Sequence, residues 1–228
     1  MAITTCVFDA YGTLFDVAGA ARFAAAEPGQ QALAAIWPQL AEDWRRKQLE
    51  YTWLRAITGQ HCDFRQVTAD GLDWAMEAQG IANPDLRARL MALYDTLPAY
   101  PEVPAILKTL KSQGFATAIL SNGSPDMLAS ATTSAGITDQ LDAVLSVESV
   151  GIFKPSARVY ELVGQHFGTA PDQVLFVSSN GWDVCSAAGF GFTTAWVNRA
   201  GLPLDRLPAQ PAHILSDLNK IPQIAGAA

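Results

Sequence analysis

The chain has 228 residues, 50% hydrophobic and 16% charged, which excludes a disordered protein and suffices for one large domain or a core with a smaller one. The formal net charge is −7, and no extended Lys/Arg cluster supplies a phosphate-backbone footprint, so nucleic acid is not an expected partner. Cys6, Cys62 and Cys185 lack metal-ligand spacing and read as thiols of a reducing, cytoplasmic compartment. The first residues lack the basic region of a signal peptide and no apolar run reaches spanning length, so no membrane is expected. A small anionic substrate stays open, because local groups decide its binding. His61, His166 and His213 form no recognisable constellation, which leaves acid–base chemistry to carboxylates and lysine.

The run Thr5-Cys6-Val7-Phe8 predicts a short buried strand that ends on Asp9 and turns at Gly12. Asp9 is either a carboxylate delivered to the ligand-binding edge of an α/β sheet or a cap for the following turn. From Val17 to Pro98 the pattern is helical, with Ala, Leu, Gln, Glu and Arg dominant. Pro38 is expected to open a long helix running through Ile57 and stopping at Gly59, and two more helices are expected at 70–79 and 84–96. After Pro101 the texture changes to alternating elements. A helix over 102–113 precedes a strand at 116–120, and a second helix precedes a strand at 143–146. Helices at 156–167 and 182–188 flank a strand at 174–178, and strands at 193–197 and 213–215 follow. Such alternation predicts a doubly wound, mostly parallel Rossmann-like sheet. Residues 1–16 and 98–228 would form this core, and residues 17–97 an inserted helical cap domain over the end of the first strand.

Four strand ends carry polar residues: Asp9 with Thr13; Ser121 with Asn122; Lys154; and Ser178, Ser179, Asn180 and Asp183. In a parallel sheet these ends share one edge and can converge on one crevice. Each has a plain alternative. Ser121-Asn122-Gly123 suits a turn, Asp183 suits the first turn of a helix, and Lys154 suits a solvated surface. Together they point to a site.

The segments Asp9-Ala-Tyr-Gly-Thr-Leu-Phe-Asp16, Leu120-Ser-Asn-Gly-Ser-Pro125, Phe153-Lys-Pro155 and Phe176-Val-Ser-Ser-Asn-Gly-Trp-Asp183 resemble the L-2-haloacid dehalogenases of the haloacid dehalogenase superfamily. So does Trp44-Arg-Arg-Lys-Gln-Leu-Glu-Tyr-Thr-Trp-Leu-Arg55. The resemblance implies that Asp9 attacks C2 of a small 2-halocarboxylate, expels halide and forms an aspartyl ester that water hydrolyses. It implies that Lys154 keeps Asp9 charged and oriented, with Tyr160 and Asp183 as neighbours. Asp183 and Asn180 would position or activate the water, and Ser178 would help place the Lys154 ammonium. Thr13, Ser121 and backbone N–H groups after the first strand would bind the substrate carboxylate. Arg45, Asn122 and Trp182 would cradle the halide, and Tyr11, Leu49 and Phe64 would wall the apolar pocket. A homodimer is expected on the same ground. Arg45 and Leu49 are i,i+4 and so share one face of the predicted cap helix, although Arg45 also suits a solvated face beside Arg46 and Lys47.

Magnesium phosphatases of the superfamily carry a second Asp two residues after the nucleophile, where this chain has Tyr11. A phosphoryl group needs a divalent cation, whereas a carboxylate can be held by hydroxyls, amides and one lysine. The expectation is a metal-free site with no cofactor. Arg46 stands where the dehalogenase pattern has Gln, which alters the charge expected beside the halide. The rival readings are a magnesium-dependent phosphatase, a phospho-acceptor receiver domain and a non-catalytic binding protein. A receiver domain is shorter, has no cap and carries acids where Thr4 and Thr5 stand.

Overall fold

The computed structural model describes residues 2–227. Strands β1 (Thr5–Phe8), β2 (Ala116–Ser121), β3 (Ala143–Ser146), β4 (Val174–Ser178), β5 (Thr193–Val197) and β6 (His213–Leu215) form one sheet. Its order is β3-β2-β1-β4-β5-β6, and every neighbouring pair is parallel. β1 and β4 are buried at every residue. That is why both read as apolar runs without alternation, broken only by Thr5 at the start of β1 and Ser178 at the end of β4.

Helices α5 (Val103–Ser112) and α6 (Pro125–Ser134) connect β1 to β2 and β2 to β3. α7 (Ala157–Phe167) and α8 (Gly181–Phe190) serve strands on the other side of β1. Right-handed crossovers place the two pairs on opposite faces of the sheet. A last helix, α9 (Ile221–Ala227), not expected from the sequence, packs on α5. Chain order reverses between β1 and β4, so a crevice opens at their carboxyl ends.

Four helices stand between β1 and α5: α1 (Gly19–Ala25), α2 (Gln31–Thr58), α3 (Phe64–Ala78) and α4 (Pro84–Asp95). The two crossings of this insertion pair with each other. Asp16 N donates to the Pro98 carbonyl at 2.9 Å and Tyr100 N to that of Leu14 at 2.9 Å.

Two helix starts differ from expectation. α2 begins at Gln31, and Pro38 lies within it. Leu33, Leu40, Trp44, Gln48 and Thr52 form one buried stripe, and its packing offsets the hydrogen bond that Pro38 cannot donate. α3 begins at Phe64, six residues before the expected start. Asp63 caps it by accepting from Arg65 N at 2.6 Å, and Phe64, Val67, Thr68, Gly71, Leu72 and Ala75 continue its buried face.

Candidate active site

Asp9 follows β1 and is held to β4 by its N–H, which donates to the Val177 carbonyl at 2.9 Å. The turn beyond it depends on Gly12, at φ 92°. A side chain there would be strained, and its Cβ would lie 3.0 Å from Ser179 Oγ. The turn returns Thr13 towards Asp9. Its hydroxyl donates to Asp9 Oδ2 at 2.9 Å and accepts from Ser179 N at 2.8 Å. Asn180 Nδ2 donates to the same Oδ2 at 3.1 Å, and Asp9 Oδ1 accepts from Lys154 Nζ at 3.2 Å.

Lys154 is buried to 1% exposure and Asp183 to 0%. The ammonium bridges both carboxylates, reaching Asp183 Oδ2 at 2.9 Å, and lies 4.9 Å from the centre of the Phe176 ring. Burial alone would lower the lysine pKa. The opposite charges of Asp183 and Asp9, with hydrogen bonds to both, outweigh burial and raise it. Asp183 is also raised, by its burial first and by Asp9's like charge, against the pull of Lys154 and Tyr160. The lysine gains two anionic partners that outweigh its burial, whereas for Asp183 burial and the repulsion of Asp9 outweigh Lys154 and Tyr160. Tyr160 donates to Asp183 Oδ1 at 2.8 Å. Its own pKa is pushed well up by burial and by that carboxylate, so it is a neutral phenol.

In front of Asp9 is a narrow crevice. Asp9, Ser121, Asn122, Lys154 and Asn180 line it from the sheet edge, with Tyr11 and Trp182. Arg45 and Leu49 of α2 and Phe64 of α3 close it from the insertion. The room within is about 10 Å³, enough for one water-sized sphere. Tyr11 OH and Trp182 Nε1 are buried without a hydrogen-bond partner, two orphaned polar groups on the wall. Arg45 reaches from the insertion to the sheet edge, donating to the Tyr11 carbonyl at 3.0 Å and to Asn180 Oδ1 at 3.2 Å. That contact removes the solvated-face reading of Arg45. Arg46 faces the other way, against Asp43 at 2.8 Å and 5.0 Å over the Trp74 ring, so its charge does not reach the crevice wall.

Several expected contacts are arranged differently. Ser178 Oγ accepts from Asn180 N at 3.1 Å and from Nδ2 at 3.4 Å, so it orders Asn180 and makes no bond to Lys154. Asn180 itself binds Asp9 and Arg45 directly. Thr13 is fully buried behind Asp9, and its proton goes to that carboxylate. Gly12 N and Thr13 N are used within the turn, on the Phe15 and Ala10 carbonyls. Ser121 remains on the crevice wall. Its oxygen accepts from Gly123 N at 3.0 Å, which leaves its O–H to donate. Asn122 Oδ1 accepts from Lys154 N at 2.9 Å.

Three contributors carry no role that the sequence assigned, although Ser179 and Gln48 lie within quoted segments. Ser179 supports Thr13, Gln48 binds Arg45 at 2.8 Å, and Tyr94 stacks on Tyr11 with centroids 5.3 Å apart. The pair Ser178-Ser179 is a visible signal for the first. Gln48 lies inside the quoted segment 44–55 without a signal for its role, and nothing local marks Tyr94.

The donors around Asp9 do not fit a magnesium ion. A lysine ammonium already stands between the two carboxylates, and the buried side chain two residues after Asp9 is a phenol. Among the described residues no cluster of three His, Cys, Asp or Glu side chains is arranged to hold a metal.

Residues 3–191 match the family profile of haloacid dehalogenase-like hydrolases. The chain is 42% identical over 223 residues to (S)-2-haloacid dehalogenase 1 of Pseudomonas sp. strain CBS-3, covering 97% of this chain and 96% of the relative. It is 38% identical, with TM-score 0.93, to a crystal structure of a dehalogenase, covering 98% of this chain and 97% of that one. It is also similar to the L-2-haloacid dehalogenase of Xanthobacter autotrophicus solved with chloropropionic acid covalently bound. That structure is 36% identical with TM-score 0.87, over 99% of this chain and all of the other. A likeness that runs through sheet, crevice and insertion alike has one reading: the chain belongs to the haloacid dehalogenase-like hydrolases, among the (S)-2-haloacid dehalogenases.

Proposed function

We propose that Asp9 is the nucleophile and that an L-2-haloacid leaves as the D-2-hydroxy acid. The chain is a hydrolase, and its reaction is hydrolytic dehalogenation of 2-haloacids. The observation that carries the assignment of roles is the buried Asp9–Lys154–Asp183 triad at the foot of the crevice.

Asp9 Oδ1 bears one hydrogen bond, at 3.2 Å, whereas Oδ2 bears two shorter ones. Oδ1 is the freer oxygen and attacks C2. The carbon–halogen bond breaks, and the halide departs with its electron pair. Arg45, Asn122 and Trp182 receive it, since donors that grip harder as charge grows lower the barrier. Trp182 supplies an indole N–H that is otherwise unpaired. The substrate carboxylate is taken by Ser121 O–H, and Tyr11, Leu49 and Phe64 enclose the carbon chain. Thr13 orients Asp9 and does not touch the substrate.

Water then attacks Cγ of the ester. Asp183 takes the proton, a role suited to a carboxylate whose pKa is raised. The acyl C–O bond breaks, and Asp183 returns its proton to the departing oxygen, which leaves as the product hydroxyl. The Asp9 carboxyl sheds the remaining water proton to solvent and regains its carboxylate. C2 is inverted once. A 2-haloacid exceeds the room in the closed crevice, so residues 17–97 act as a cap domain that parts from the core of residues 1–16 and 98–228.

A single turnover with enzyme in excess in ¹⁸O-water tests this. Heavy oxygen is expected in Asp9 and ordinary oxygen in the product hydroxyl. Label in the product with Asp9 unlabelled would mean that water attacks C2 itself. Halide release is expected to survive exhaustive chelation, and its loss with rescue by magnesium would restore the phosphatase-like alternative. No described helix is long and apolar enough to cross a membrane. Three free cysteines support a reducing, cytoplasmic setting. Exposed Leu54 and Ile57 on α2 support a homodimer, for which light scattering should give twice the chain mass.

A further inference from the structure

Arg45 does not reach the crevice unaided. Its NH2 group holds the Tyr11 carbonyl and Asn180 Oδ1, and its NH1 group donates to Gln48 Oε1 at 2.8 Å. Gln48 lies three residues on in α2, is 1% exposed and belongs to a buried polar network inside the insertion. Its Nε2 donates to Thr68 Oγ1 at 2.8 Å and to Tyr94 OH at 3.0 Å. Thr68 has one proton, which goes to the Phe64 carbonyl at 2.8 Å. Thr68 Oγ1 can therefore only accept from Gln48. That forces the amide to present Nε2 to Thr68 and Oε1 to Arg45, so its orientation is dictated by the network.

The network exists because α2 and α3 approach closely. A Cβ at Gly71 would lie 3.2 Å from Gln48 N and 3.3 Å from the Trp44 carbonyl. Trp44 Nε1 donates to the Thr68 carbonyl at 2.8 Å, which fixes Thr68 against α2. Gln48 does not itself line the crevice. A buried amide held by three partners is a costly way to fill space, and the one partner that reaches the crevice is Arg45.

We propose that Gln48 is a positioning residue that fixes the Arg45 guanidinium towards the departing halide. This rests on the reading of Arg45 as the halide's cation. A poorer leaving group depends more on that cation, so loss of Gln48 should weigh more on chloride than on bromide.

The test compares halide release from (S)-2-chloropropionate and (S)-2-bromopropionate. In Gln48→Met, kcat for chloride should fall about tenfold, the size of one hydrogen bond to a charged group, with KM nearly unchanged. The bromide-to-chloride ratio of kcat/KM should rise severalfold. In an Arg45→Ala background Gln48→Met should add nothing further to that ratio. Thr68→Val leaves Gln48 in place but removes the acceptor that fixes its amide, so the ratio should rise by a smaller factor, and it serves where the methionine variant does not fold. Leu72→Ala, which opens a cavity in the buried face of α3, should lower stability and leave the ratio unchanged. Equal losses for both halides in Gln48→Met, additive effects in the double variant, or an unchanged ratio in Thr68→Val would each overturn the proposal. An Arg45→Ala protein with an unchanged ratio would instead overturn the halide role of Arg45.

Discussion

The sheet edge and the inserted helices hold their charges in different ways. At the sheet edge Lys154 is paired with two carboxylates, all three nearly or fully buried, and each is fixed by a strand end or by the loop and helix beside it. On the insertion one guanidinium extends from a helix and is anchored by neutral acceptors alone, Tyr11, Asn180 and Gln48. The first arrangement keeps an anion and its counter-charge together at all times. The second leaves a cation whose charge is not cancelled by any carboxylate bonded to it, so it can answer to an arriving or departing anion. In the proposed reaction bond making falls to the sheet edge, and the insertion adds Arg45 to the two sheet-edge groups, Asn122 and Trp182, that receive the halide.

The largest effect should come from breaking the sheet-edge side. Lys154→Met leaves two carboxylates buried without their cation. Turnover should fall by several powers of ten, beyond the roughly 10²–10³ of one electrostatic deletion. Chemical denaturation should show a loss of about 3–5 kcal/mol, as for other buried pairs with one partner removed. A folded variant with near-normal turnover would remove Lys154 from the mechanism.

Next is the insertion side. Arg45→Ala should cost roughly 10²–10³ in chloride release with little change in stability. Arg55, on the same helix but paired with half-exposed Asp70 at 3.1 Å, should tolerate alanine within about twofold, because exposed pairs contribute little. Equal losses at the two positions would erase the distinction between the two regions.

A smaller effect concerns pH. Asp183 is raised above the ordinary carboxylate value of about 3.9, so it protonates at higher pH than a free carboxylate. Burial, the largest cause, persists when esterification removes the Asp9 charge, so the acid limb of ester hydrolysis should lie above that value. Tyr160 lowers the Asp183 pKa through its hydrogen bond, so Tyr160→Phe should move the limb further up, as read from pH profiles of single-turnover hydrolysis. A limb that moves down would remove Asp183 as the base. For Lys154 the folded value is raised above about 10.4. The stability it contributes is full below that pH and lost as pH rises through the folded value, so its basic limb lies in the alkaline range.

The smallest effect compares thiols. Cys6 in β1 is fully buried and pushed up to about 12 by that burial, whereas Cys62 of the insertion is half-buried. Alkylation near pH 8 should label Cys62 first and leave Cys6 unmodified until the sheet unfolds. Mass spectrometry of the labelled peptides reads the order.

Local sequence was enough for the strands and for the polar residues at their ends. Buried parallel strands are predominantly apolar, and the residues past their carboxyl ends share one edge of the sheet. Asp9, Asn122, Lys154, Asn180 and Asp183 were therefore legible as a set. Helical spacing also identified the α2 face shared by Arg45 and Leu49. Packing in three dimensions settled where α2 and α3 begin, because a buried stripe carries α2 past Pro38 and Phe64 extends α3 to its Asp63 cap. It also settled that Ser178 serves Asn180, that Arg46 turns outward to Asp43 and Trp74, and that Gln48 stands behind Arg45. The Gln48 network and the reach of Arg45 to Asn180 join side chains 20 to 135 residues apart. No local pattern encodes such meetings, since a glutamine on a helix reads the same whether it faces water or a threonine on the helix beside it.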